Sequence, residues 1–349
     1  MTLAAGLRGF LPLRPIGPLT RPADLLAARR LAASLRVGGG YGALRGARRT
    51  FSDLLVFRLD GGSAPAVVVK HPRSRRAAAS LAHECEVVRR LERDERLGLW
   101  RRFLPTVQQC ELDGGLPLVI EHCLPGQEGD MLLRRFPQLA QQVTVSALRM
   151  ICELHRATGR MEEVTARVGH WVDPQLAVLA EEIQWCRHGR GADATAVLRE
   201  HLVRALTGRR MLVAWTHGDF HPGNVLLGRQ YGAPLGVIDW AGAVPDGPSV
   251  IDCHTFVLTL RHQREGRQFG RVVADVVRRD SLLLEDRHLL AEAGVLTADD
   301  RGETALTLLT WLWHVANNVA KSARYGRSHR WVAENVVPVL REVAARQIA

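Results

Sequence analysis

The stretch from Trp215 to Trp240, WTHGDFHPGNVLLGRQYGAPLGVIDW, sets two His, two Asp and one Asn among glycines, prolines and two apolar runs. The runs NVLLG and LGVID are β-branched and aliphatic, and RQYGAP between them has turn chemistry. They read as a hairpin whose near ends carry Asn224 and Asp239 side by side. HGDFHPG ahead of it is a loop, because Gly218, Pro222 and Gly223 oppose both helix and strand. That loop hangs Asp219 over the same end of the hairpin. Two carboxylates and an amide oxygen on one spot are a ligand set for a hard divalent cation such as magnesium, which takes oxygen ligands and keeps several waters.

One carboxylate is better used elsewhere. Phosphoryl transfer needs a base that orients the attacking hydroxyl while metal neutralises charge between the β- and γ-phosphates. Asp219, five residues before Asn224, has the spacing of a kinase catalytic loop, and Asp239 fills the place of a second metal-binding Asp. HGDFHPGN followed by VIDW resembles the aminoglycoside phosphotransferase family, the small-molecule branch of the protein-kinase-like fold. The resemblance implies a bilobal α+β fold, with a small β-rich lobe before a larger helical one. It implies His217 as support for the loop, Asp219 as catalytic base, and Asn224 with Asp239 as magnesium ligands. Trp240 stands where protein kinases have the Phe of Asp-Phe-Gly.

A kinase also needs a cation for the α- and β-phosphates. Of 47 basic residues only Lys70 and Lys321 are lysines. A Lys closing VVVK in a chain that otherwise uses Arg suggests a site that wants a compact ammonium rather than a planar fork. Its helical partner is Glu84 or Glu86 in AHECEVVRRLE, and the resemblance favours Glu84, Glu86 falling on the more exposed face. GGGYG at 38–42 precedes the first strand and reads as a hinge, so RRTFSD is the expected phosphate-covering turn, with Ser52 on the β-phosphate as the family implies. IEHCLPG lies where the adenine hinge belongs, and there Glu121 and Cys123 are expected to act through backbone groups.

The acceptor pocket belongs in the C-terminal part. Asp252 in IDCHTF matches the family acid that ties its helix to the catalytic loop; a plain helix N-terminal acid is the other reading. In TLLTWLWHVANNVAKSARYG, His314, Asn317, Asn318 and Lys321 form one polar stripe on an apolar helix, lining the acceptor pocket or facing solvent. Residues 251–349 hold fourteen Arg or Lys and twelve Asp or Glu, with acids grouped at Glu285–Asp286 and Asp299–Asp300. That is not the acidic pocket a polycationic aminoglycoside requires.

Around these residues the elements follow from pattern. LLVFRL and AVVVK, with the strand before them, make an antiparallel meander; residues 77–93 have helical periodicity with Leu81, Cys85, Val88 and Leu91 on one face; two further strands flank the turn DGG. Leu124-Pro125-Gly126 marks a lobe boundary near 125. Beyond it helices are expected at about 136–157, 173–187, 193–207, 250–263, 270–279, 303–324 and 330–346, and strands only in the quoted segment. The division is 1–36 basic arm and helix, 37–125 nucleotide lobe, and 126–349 helical lobe. Residues 1–50 carry nine Arg and one Asp, +8 of the net +11, so the basic character belongs to that arm. With Phe10 its only early aromatic, the arm is disfavoured as a nucleic-acid surface. No apolar run approaches the ~20 residues of a membrane helix. Six cysteines without CxxC spacing suit a reduced, cytoplasmic protein.

These residues imply an ATP-dependent, magnesium-requiring phosphotransferase acting on a small-molecule hydroxyl, with GTP as the alternative donor. A Ser/Thr kinase of peptides, whose basic arm holds an acidic leader, is the second reading. A regulatory pseudokinase is the third, disfavoured because Lys70, Asp219, Asn224 and Asp239 are all present.

Overall fold

The structure is a computed structural model and describes residues 22–62, 65–110, 118–228, 232–295 and 302–348. The extreme N-terminal arm, the DGG turn, part of RQYGAP and Asp299–Asp300 lie outside the described residues. In chain order the N-terminal lobe contains α1 (Pro22–Gly39), β1 (Leu44–Arg49), β2 (Leu54–Leu59), β3 (Val67–Pro72), α2 (Arg75–Arg93), β4 (Val107–Cys110) and β5 (Leu118–His122). The strands form one antiparallel sheet of order β1-β2-β3-β5-β4.

Alternation along β2 explains its two faces. Leu55, Phe57 and Leu59 turn inward with Val67, Val69, Leu118 and Ile120, and Ala28 and Ala32 of α1 close over them. The opposite face meets α2 through Val119, Leu81 and Cys85. Thus α1 is part of this lobe's core, and the expected boundary at residue 36 runs through a helix that continues to Gly39. Asp24, buried near the start of α1, lies 3.7 Å from both Arg49 and Arg73, fastening the helix to the sheet.

The second lobe opens with β6 (Gln127–Glu128), α3 (Gly129–Arg135), α4 (Ala140–Thr158), β7 (Arg160–Glu163), α5 (Val168–Glu182), α6 (Gly189–Leu206) and β8 (Arg210–Thr216). It continues through β9 (Val225–Leu227), β10 (Pro234–Val237), β11 (Val244–Pro248), α7 (Val250–Glu265), α8 (Phe269–Arg279), α9 (Leu284–Glu292), α10 (Glu303–Lys321), α11 (Ala323–Arg327), α12 (His329–Asn335) and α13 (Val337–Ile348). Among the described residues no helix is long and apolar enough to cross a membrane.

Three differences from expectation bear on the site. A second sheet, β11-β8-β7, was not anticipated: β7 (RMEE) and β11 (VPDGP) lack apolar alternation and become strands only by pairing with the buried β8. Pro137 separates α3 from α4, and the last expected helix divides at Val336, since Pro338 has no N–H to donate to the Glu334 carbonyl. The helix expected over 303–324 stops at Lys321, because Ser322 is extended, which leaves Lys321 on its final turn.

Candidate active site

The catalytic-loop sequence leaves β8 at Thr216 and rejoins strand structure at Val225. Its geometry is set from below by Asp252, fully buried near the start of α7. The Asp252 carboxylate accepts the backbone N–H of His217 and of Gly218, each at 2.8 Å, and lies 2.9 Å from His155 Nε2 of α4. Burial works against a charged His155, yet the Asp252 bond and the neighbouring Cys152 raise its pKa to about 9, so an imidazolium faces the carboxylate. His155 was not singled out from the sequence, since nothing local marks a His on the inner face of an amphipathic helix.

The His217 ring spans the loop. Nδ1 accepts from the Asp219 N–H at 3.3 Å and Nε2 lies 3.1 Å from the Ile238 carbonyl, which requires a neutral ring with its proton on Nε2. Burial lowers its pKa in the same sense. The ring packs on Trp240, centroids 4.6 Å apart. Gly218 has φ +77°, and a Cβ there would stand 2.3 Å from the Gly242 carbonyl oxygen, so only glycine fits.

Asn224 donates its amide N–H to the Asp219 carbonyl at 2.9 Å, which leaves its side-chain oxygen as an acceptor. The Ile238 N–H donates to the Asn224 carbonyl at 3.0 Å, and Val225 pairs with Val237, so the hairpin does set Asn224 beside Asp239. Asp239 itself is left-handed at φ +65°, an unusual conformation that Asp tolerates better than most residues.

Lys321, placed by the sequence on an acceptor-pocket wall or a solvent stripe, lies between the two carboxylates: Nζ is 2.8 Å from Asp219 Oδ2 and 3.1 Å from Asp239 Oδ2. Two more residues of its stripe also face the loop, whereas Asn318 bonds back to His314 within α10. Asn317 donates to the Gly218 carbonyl at 2.7 Å, and His314 Nδ1 is 3.8 Å from Asp219 Oδ1. Neither is turned to solvent. His314 is kept neutral by burial, its pKa lowered to about 4. Burial alone would raise the Asp219 carboxyl; the Lys321 ammonium outweighs it and holds Asp219 well below the usual carboxylate range.

On the N-terminal side, Lys70 Nζ is 2.9 Å from Glu84 Oε1 of α2, as the sequence reading expected, while Glu86 is exposed. It is also 2.6 Å from Glu121 Oε1. The expectation that Glu121 matters only through its backbone is therefore incomplete: it falls on the same face of β5 as Val119, toward α2, and its carboxylate is part of the lysine's environment. Burial pushes Glu84 upward against the pull of Lys70, as befits two carboxylates sharing one ammonium. The Cys123 N–H is donated to the Ala66 carbonyl at 2.9 Å, so its backbone donor is taken up beside the sheet. Ser52 sits in the β1–β2 turn as expected, its hydroxyl 2.8 Å from that of Thr50.

Asp252→Ala should cost about 3–5 kcal/mol, because it strips three donors of a buried partner and leaves the His155 cation uncompensated. Urea unfolding of the variant measures this; a midpoint equal to wild type would mean that other bonds hold the loop.

The hard oxygen set of Asp239 and Asn224 suits magnesium, and the ammonium drawn between Asp219 and Asp239 marks the spot as one that demands positive charge.

A model of the phosphotransferase enzyme family matches residues 44–250, from β1 to the start of α7. Among solved structures the fold is similar to an aminoglycoside-3'-phosphotransferase of type VIII, at 18% identity over 83% of this chain and 99% of that one, TM-score 0.51. It is similar as well to APH(2")-IIia in its GDP and kanamycin complex, at 16% identity over 91% and 99%, TM-score 0.51. A macrolide 2'-phosphotransferase type I gives 14% identity over 91% and 96%, TM-score 0.51. Comparison with curated proteins finds no match. At these identities the structures speak for the fold, a bilobal kinase-like α+β arrangement, and the family match covers the loop, the hairpin and the lysine together. This chain belongs to the phosphotransferase enzyme family, enzymes of the kinase type that phosphorylate hydroxyl groups.

Proposed function

We propose that the protein transfers the γ-phosphoryl group of ATP to a hydroxyl of a small molecule in a cleft between the two lobes. The observation that carries this reading is the convergence of Asp219, Asn224 and Asp239 at one end of a hairpin. Lys70 and Glu84 lie near enough for their charges to bear on Asp239. Lys70, held by Glu84, faces the α- and β-phosphates, and Ser52 contributes from the β1–β2 turn. Asn224 and Asp239 would hold magnesium, which when bound neutralises charge on the β- and γ-phosphates. Asp219 accepts the hydrogen bond of the acceptor hydroxyl and aims its oxygen at the γ-phosphorus. The new P–O bond forms as the bond to the β-phosphate oxygen breaks, ADP departs, and the hydroxyl proton passes to Asp219. With its basicity depressed by Lys321, Asp219 orients the nucleophile more than it strips it, which suits a loose transition state.

Residues 37–125, with α1, serve as the nucleotide lobe and 126–349 as the catalytic and acceptor lobe. A cytoplasmic setting belongs to this proposal, since Cys152 and Cys253, with sulfurs 3.8 Å apart, remain thiols where the compartment is reducing. The antibiotic classes named for the similar structures, aminoglycosides and macrolides, set the first acceptors to try. A nucleotide-consumption screen over these, simple sugars and small alcohols, run with ATP and with GTP, tests the reading. Product bearing a new phosphate ester supports it; turnover on none of these classes with either nucleotide counts against it.

Lys70→Arg should fail to rescue Lys70→Ala, both losing about 10²-fold or more in turnover. The planar guanidinium does not fit between two carboxylates that hold a point charge at 2.6 and 2.9 Å. Full activity in the Arg variant would remove Lys70 from the nucleotide site.

A further inference from the structure

We propose that Lys321 is a catalytic residue whose ammonium touches the transferring γ-phosphoryl group, an inference that rests on the phosphoryl-transfer reading above. The chain uses Arg for 45 of its 47 basic positions, and both lysines lie between paired carboxylates. Lys70 stands between Glu84 and Glu121; Lys321 stands between Asp219 and Asp239.

The position of Lys321 is built rather than incidental. It is the last residue of α10, and its side chain is only 16% exposed. One turn earlier Asn317 bonds the Gly218 carbonyl, which registers α10 against the catalytic loop. From the other lobe, Arg76 of α2 donates to the carbonyls of Val319 and Ala320 at 2.7 and 2.6 Å, holding the end of the helix. A surface lysine that had merely found two acids would not be braced from both sides.

Its place between the two carboxylates indicates its work. Asp219 is the acceptor side of the reaction and Asp239 the phosphate side, so a group bonded to both lies on the path of transfer. An ammonium has three donors. When Asp239 turns to a metal, one donor can stay on Asp219 while another meets an equatorial oxygen of the phosphoryl group. That is where charge is spread in a loose transition state, and a cation held there in advance has no reorganisation left to do. A guanidinium, with its donors fixed in a plane, cannot serve both directions equally. The competing role is a counter-ion that leaves the site when nucleotide arrives.

Having only two lysines makes the test clean. The whole protein is treated, with magnesium, with an ATP analogue acylated on its γ-phosphate. A lysine nitrogen beside the γ-phosphate attacks the acyl carbonyl, the carbonyl C–O bond of the mixed anhydride breaks, ATP leaves, and the amine proton goes to solvent. Peptide mass spectrometry then locates the amide. Acylation of Lys321, suppressed at least about tenfold by excess ATP, is the expected result. Acylation of Lys70 alone overturns the proposal and leaves the nucleotide reading standing; acylation of neither overturns both. In parallel, Lys321→Ala should lower kcat by about 10²–10³-fold while the ATP Kd measured by calorimetry stays within about threefold, and Lys321→Arg should not restore kcat. Unchanged kcat in a folded Lys321→Ala protein refutes the role. Should that variant fail to fold, the labelling of the wild type decides alone.

Discussion

Asp219→Asn lowers turnover by about 10²–10⁴-fold and leaves ATP affinity nearly unchanged, the expected signature of a group that positions the acceptor oxygen. The substitution keeps the size of the side chain. It also keeps the two bonds that hold the residue in place, since Asn224 grips the Asp219 carbonyl and His217 takes its N–H, both through the backbone. What it removes is the charge facing Lys321 and the acceptor. The loop should therefore stay folded, with a melting midpoint within a few degrees of wild type. Should turnover survive, or should the loss track unfolding, Asp219 is a buttress and the kinase mechanism fails.

Asp239→Ala should abolish the magnesium-dependent part of ATP binding and lower turnover by about three orders of magnitude, as charge stabilisation by a bound metal is worth several kcal/mol. Because Asp239 is left-handed at φ +65°, alanine adds a backbone penalty of about 1–2 kcal/mol that is unrelated to metal. Asp239→Asn is the companion variant, since Asn accepts that conformation and loses only the charge. Calorimetry with magnesium and with a chelator separates the effects: both variants should bind ATP as wild type does in chelator. A magnesium response equal to wild type in either variant would take Asp239 out of the metal site.

The legibility of this site divides along sequence distance. Asp219, Asn224 and Asp239 fall within 21 residues, joined by a loop whose glycines and prolines restrict its path and by a hairpin whose register follows from two apolar runs. Lys70 and Glu84 are also near neighbours in sequence, one inside β3 and the other on the inner face of the next helix. Periods of two and 3.6 residues marked the loop, the hairpin and the strand lysine and left Glu84 or Glu86 as its helical partner, while the resemblance carried by HGDFHPGN and VIDW supplied the choice of Glu84 and the fold class. The family match then covered the same span.

Tertiary structure alone decided the rest. Lys321 is 102 residues from Asp219, and His155 is 97 from Asp252. Periodicity tells that such residues share a helix face but not which neighbour that face meets. The polar stripe on α10 was therefore open between an acceptor pocket and solvent. Packing turned the stripe to the catalytic loop instead, because the buried Asp219 carboxylate needs a cation close by and α10 ends with one that also reaches the partly exposed Asp239. Glu121 follows the same rule: its strand was legible, but the charge it would meet across the sheet was not. Local spacing determined which groups could act, and long-range packing determined the electrostatic surroundings in which they act, since Coulomb interactions depend on separation in space and chain order constrains that only over a few turns.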